Sequence, residues 1–86
     1  MSGVLGIRNM LTGMVYYLKT DDLAFEAQRL RFSLDMGDFP VKSLQDDYEQ
    51  TGLELFLIEP ACQCELAEAD RMLRSLQDKA KDRLYR

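Results

Sequence analysis

The chain has 86 residues, 47% of them apolar and 30% charged, with two prolines, five glycines, two cysteines and neither histidine nor tryptophan, and a formal net charge of −4. That composition is ordinary for one folded domain, taken here as residues 1–86, and it excludes histidine-based triads, a disulfide scaffold and a strongly basic nucleic-acid binder. There is no apolar run of eighteen residues and no basic segment ahead of the apolar start, so a membrane span and a signal peptide are not expected, and the reading is cytoplasmic.

Charge is unevenly spread. Residues 1–34 carry net +1, residues 35–70 net −9 and residues 71–86 net +4. The simplest reading places the acidic middle against the basic C-terminal segment inside one bundle. Under that reading nucleic acid is not expected as a partner, because a largely acidic chain repels phosphate.

Taken in order, the apolar residues favour helices. Val4, Leu11, Leu18, Phe25 and Phe32 recur every seven residues. Tyr16, Leu23, Ala27, Leu30 and Leu34 form a second row at helical spacing. Together they predict a helix over about residues 3–36, with a possible break near Thr20, where Thr20 could cap a second helix over Asp21 and Asp22. Gly37 suits the end of this helix and Pro40 the start of the next. Val41, Leu44, Tyr48, Thr51, Leu55 and Ile58 predict a second helix over 41–58. The run Leu53–Ile58 would suit a strand, but a lone strand has no partner in a helical chain. Pro60 then opens a third helix over 60–84, with the stripe Leu66, Ala69, Leu73, Leu76, Ala80 and Leu84 and basic residues where the helix dipole favours them. The fold class expected is therefore all-α: a small antiparallel bundle or helical hairpin of three or four helices that self-associates.

No residue pattern marks a catalytic, cofactor-binding or metal site. Asp46 and Asp47 would point about 100° apart on a helix, so they do not converge. Cys62 and Cys64 would point about 200° apart, and read as packing residues rather than ligands. The N-terminal helix is apolar over most of its circumference, which marks an interface on so small a chain. A membrane-surface role is not expected, because that helix lacks a Lys/Arg-rich polar face. The function expected is thus a non-enzymatic adaptor, chaperone or inhibitor. It would bind another protein, and a second copy of itself, through Val4, Ile7, Leu11, Met14 and Leu18, with Asp46, Asp47 and Glu49 steering a basic partner. The alternative is a regulator that acts on nucleic acid, or on a nucleic-acid-binding protein, through the acidic middle or the basic C-terminal helix.

Overall fold

The computed structural model describes residues Met1–Tyr85. It is a mixed α/β domain, which corrects the all-α expectation. Strand β1 (Gly3–Asn9) and strand β2 (Val15–Thr20) lead into helix α1 (Leu23–Met36). Helix α2 (Lys42–Thr51), a short 3-10 turn, strand β3 (Phe56–Gln63) and helix α3 (Leu66–Ala80) follow. The sheet is antiparallel throughout, in the order β2-β1-β3. Residues 3–36 are therefore not one helix but a hairpin followed by a helix, and the break falls at the Thr20–Asp22 segment.

Physical reasons for the hairpin are visible in hindsight. Gly3, Gly6 and Gly13 each weaken a helix by about 1 kcal/mol, whereas Val15, Tyr16 and Tyr17 suit a pleated surface. Leu5, Ile7 and Asn9 line one face of β1, and Val4, Gly6 and Arg8 the other. Asn9 closes the turn. Its Oδ1 accepts from the backbone N–H of Leu11 at 2.9 Å and of Thr12 at 3.3 Å, and its own N–H donates to the Met14 carbonyl at 2.8 Å.

The second predicted helix stops at Thr51, and residues 56–58 pair with β1 instead. Register partners Ile7↔Ile58 and Asn9↔Phe56 supply what a lone strand lacks. Pro60, expected to open a helix, lies in β3 opposite Leu5, where the register shifts between Val4 and Leu5. An edge strand at an irregularity tolerates a residue with no N–H to donate. The third helix consequently begins at Leu66.

α1 ends at Gly37 as expected, but its cap is Asp22 rather than Thr20. Asp22 Oδ1 accepts from the Phe25 N–H at 3.1 Å. Gly37 sits at φ 79°, with the N–H groups of Gly37 and Asp38 returning to the carbonyls of Leu34 and Ser33.

The main core lies on the face of the sheet that carries Leu5 and Ile7. Those two pack with Leu23, Leu30, Leu34, Phe39, Leu44, Tyr48, Phe56 and Tyr85. Tyr16 meets Phe39 edge-on, ring centroids 5.5 Å apart. Gln45 is buried with its side chain fully used: Nε2 donates to the Leu34 carbonyl at 2.9 Å and to Glu49, and Oε1 accepts from the Phe39 N–H at 3.1 Å. α1 and α2 thus cover one face, and α3 covers part of the other.

Candidate nucleic-acid interface

The face of the sheet shared with α3 is built in three rows. Lys19, Val4 and Cys62 form one; Tyr17, Gly6 and Glu59 the next; Val15, Arg8 and Leu57 the third. α3 lies against the β2 side of this face, where its Ala69 is buried and its Asp70 pairs with Lys19 at 2.7 Å. That contact holds the Asp70 carboxyl below its ordinary range, through the Lys19 hydrogen bond and charge.

The β1–β3 side remains a hollow of about 80 Å³, lined by Gly6, Arg8, Tyr17, Leu57, Glu59 and Ala61 among others. Gly6 makes the hollow, because a Cβ there would stand 3.2 Å from the Tyr17 ring. Arg8 is exposed and belongs to no ion pair among the described residues. A guanidinium, a phenol and a carboxylate therefore border one small recess. The guanidinium can hold a phosphate oxygen in a forked hydrogen bond, and the other two can take or give a proton.

The solvent side of α3 carries the basic segment. Arg71, Arg74, Lys79 and Lys81 line a shallow open surface with Ser75 and Asp78. Arg71 reaches Glu68 at 3.3 Å, an exposed pair of little energetic weight. Residues 71–85 hold five basic and two acidic groups, whereas residues 21–55, which form α1, α2 and their connections, hold nine acidic and three basic. The sheet stands between the two sets. Among the described residues the expected pairing of the acidic middle with the basic C-terminal helix is reduced to the exposed Glu68–Arg71 contact, and the cations of α3 face solvent.

The residues expected to bind a partner do not form one surface. Val4 and Ile7 are both fully buried, on opposite faces of β1. Leu11 is 66% exposed at the hairpin tip, and Met14 and Leu18 are half-buried against the core. Asp46 and Glu49 are exposed on α2 and acidic, while Asp47 accepts from the Tyr85 hydroxyl. Sequence reading missed Arg8, Tyr17 and Glu59. Their shared signal is strand alternation around Gly6, and it is legible only once the hairpin is recognised. Among the described residues no group of three or more histidine, cysteine or acidic side chains is placed to hold a metal ion.

The fold and this face define a three-stranded antiparallel α/β domain with a cationic flank. Its architecture is similar to that of the catalytic domain of the homing endonuclease I-TevI, with a TM-score of 0.87 at 20% identity, over 99% of this chain and 96% of that one. A variant of the I-TevI catalytic domain, with one glutamate replaced by alanine, superposes with a TM-score of 0.83 at 20% identity, over 99% and 91% of the two chains. No family model matches the chain, and neither does any curated protein. At this identity the likeness establishes the fold. It removes the ground for the helical adaptor, chaperone or inhibitor, because the helical bundle on which that non-enzymatic reading stood is a mixed α/β fold similar to that solved domain. The expectation that nucleic acid is no partner loses its ground too, since it rested on the same bundle and the solved domain that the fold resembles belongs to a homing endonuclease.

Proposed function

We propose that this chain is a nucleic-acid-directed domain of endonuclease type, which takes the phosphodiester backbone on the α3 side of its sheet. The observation that carries the reading is the exposed set Arg71, Arg74, Lys79 and Lys81 on α3, on the same side of the sheet as Arg8. Exposed cations on one face supply the sequence-independent part of backbone binding. At the hollow, Arg8 holds a phosphate oxygen, and Tyr17 and Glu59, on either side of Gly6, are the groups able to move a proton. The likeness to an endonuclease catalytic domain supports the same reading.

The test is binding of a labelled duplex and a labelled single strand, followed by fluorescence anisotropy, with plasmid nicking in magnesium measured in parallel. With about four phosphate contacts, affinity falls roughly a hundredfold between 50 and 200 mM salt. The double variant Arg71→Glu, Arg74→Glu abolishes binding, and Arg8→Ala abolishes nicking while keeping most of the binding. No binding at low salt, or an unaffected double variant, would sink the proposal. Binding without nicking would reduce it to a backbone-binding domain.

A further inference from the structure

On the same face of the sheet, at the end away from Arg8, two thiols are brought together. Cys62 stands opposite Val4 in the ladder. Cys64 continues that ladder beyond β3: its N–H donates to the Ser2 carbonyl at 3.2 Å, and the Ser2 hydroxyl donates to the Cys64 carbonyl at 2.7 Å. Strand alternation therefore points both side chains the same way, toward the first turns of α3. A helical reading of this segment would set them on opposite sides. The backbone is held close here by Gly3, at φ 155°, where a Cβ would lie 2.1 Å from the Cys62 carbonyl oxygen. Both thiols are free and half-buried, and Cys64 opens onto a recess bordered by Ser2, Gln63, Glu65 and Glu68. Partial burial, the neighbouring Cys62 thiol and the Glu68 carboxylate push the Cys64 thiol up from its ordinary value.

We propose that Cys62 and Cys64 form a two-thiolate site for a soft monovalent cation of the copper(I) class. Soft thiolates select such ions, and two donors on one strand face can hold one between them. Zinc is a poorer occupant. Its structural sites close with four ligands, the chain has no histidine, and no cluster of three donors occurs among the described residues. A disulfide fits less well, because residues i and i+2 of a strand have Cα atoms about 6.6 Å apart, at the upper end of the bridging range. On binding, each S–H loses its proton as its S–Cu bond forms. Two protons leave per ion, and the metal enters and stays as copper(I), so no electron is transferred.

The experiment is anaerobic titration of the reduced chain with copper(I) against a chromophoric chelator of known affinity. The expected result is one ion per chain, with an ultraviolet thiolate-to-copper band and an affinity that rises about a hundredfold per pH unit below the thiol pKa values, since two protons leave. Cys62→Ser and Cys64→Ser each lose the band and the retention while keeping the circular dichroism of the parent. Failure to retain copper(I) against the chelator would overturn the proposal. So would retention by either single variant, or half an ion per chain. None of these outcomes depends on nucleic-acid binding, so this inference and the proposed function stand or fall separately.

Discussion

Asn9 and Tyr85, 76 positions apart, are joined by a hydrogen bond in the core, the Asn9 side-chain amide donating to the Tyr85 phenol oxygen at 3.0 Å. The same phenol donates to the Asp47 carboxylate at 2.8 Å. Its backbone N–H reaches the Val15 carbonyl at 2.8 Å. One side chain thereby ties the hairpin turn, α2 and the C-terminal segment together. Tyr85→Phe keeps the ring but leaves the Asn9 amide unpaired where it is 1% exposed. The expected cost is about 1–3 kcal/mol, read from urea unfolding. Asn9→Ala costs more, because it also strips the acceptor for Leu11 and Thr12. A Tyr85→Phe variant as stable as the parent would mean that the network is decorative.

Alkaline pH is expected to unfold the domain through its tyrosines. Burial, then the hydrogen bond to Asp35, pushes the Tyr48 phenol up from 10.0 to about 12. Burial likewise raises Tyr85. A phenol whose folded pKa lies above its unfolded value contributes stability that is fully present below the unfolded value and is lost as pH rises toward the folded one. The urea midpoint is therefore flat up to about pH 10 and falls between pH 10 and 12. Tyr48→Phe makes the fall shallower. An unchanged slope in that variant would move the effect to other groups.

Two glycines separate backbone need from cavity. Gly3→Ala places a methyl group 2.1 Å from a backbone oxygen at a φ that side chains rarely adopt, and should cost about 3 kcal/mol in urea unfolding. Gly6→Ala meets the Tyr17 ring at 3.2 Å and the Ala61 Cβ at 3.6 Å, and has no such φ. It should cost under about 1 kcal/mol and fill part of the hollow. Equal costs would contradict the close approach of β1 to Cys62.

How much of this was legible depends on where the information lay. The Gly37 end of α1 is local and needs only its own neighbours; its start is local too, but two candidate caps stand side by side, and Asp22 rather than the expected Thr20 takes the role. The sheet was not local. Leu53–Ile58 had the look of a strand, and was assigned to a helix because its partner, Gly3–Asn9, had itself been assigned to a helix on a seven-residue recurrence of Val4, Leu11 and Leu18. In the structure that recurrence spans a strand, a turn and a second strand. The charge blocks divide at the sheet: the acidic residues of α1 and α2 lie across it from α3, whereas Glu59, Glu65, Glu68 and Asp70 stay on the α3 side, a division that the linear sequence does not display. The relative direction of Cys62 and Cys64 changes for the same reason: a helix separates i and i+2, whereas a strand aligns them.

Ile7 and Leu11, both expected at one interface, should behave as opposites. Ile7 is fully buried at the centre of β1, between Tyr16 and Ile58 in the ladder. Ile7→Ala removes most of a side chain that the surrounding helices cannot collapse around, for about 2–5 kcal/mol. Leu11 projects from the turn, held by its backbone N–H, which donates to the Asn9 Oδ1, and not by its own side chain. Leu11→Glu should therefore change the urea midpoint by no more than about 0.5 kcal/mol equivalent. If Leu11→Glu unfolded the domain as Ile7→Ala does, the hairpin tip would have to be covered, and the placement of β1 and β2 at the sheet's open end would be wrong. If Ile7→Ala were tolerated, the core would not run through the centre of β1, and the hollow on its other face would lose the rigid floor that fixes Arg8 beside Gly6.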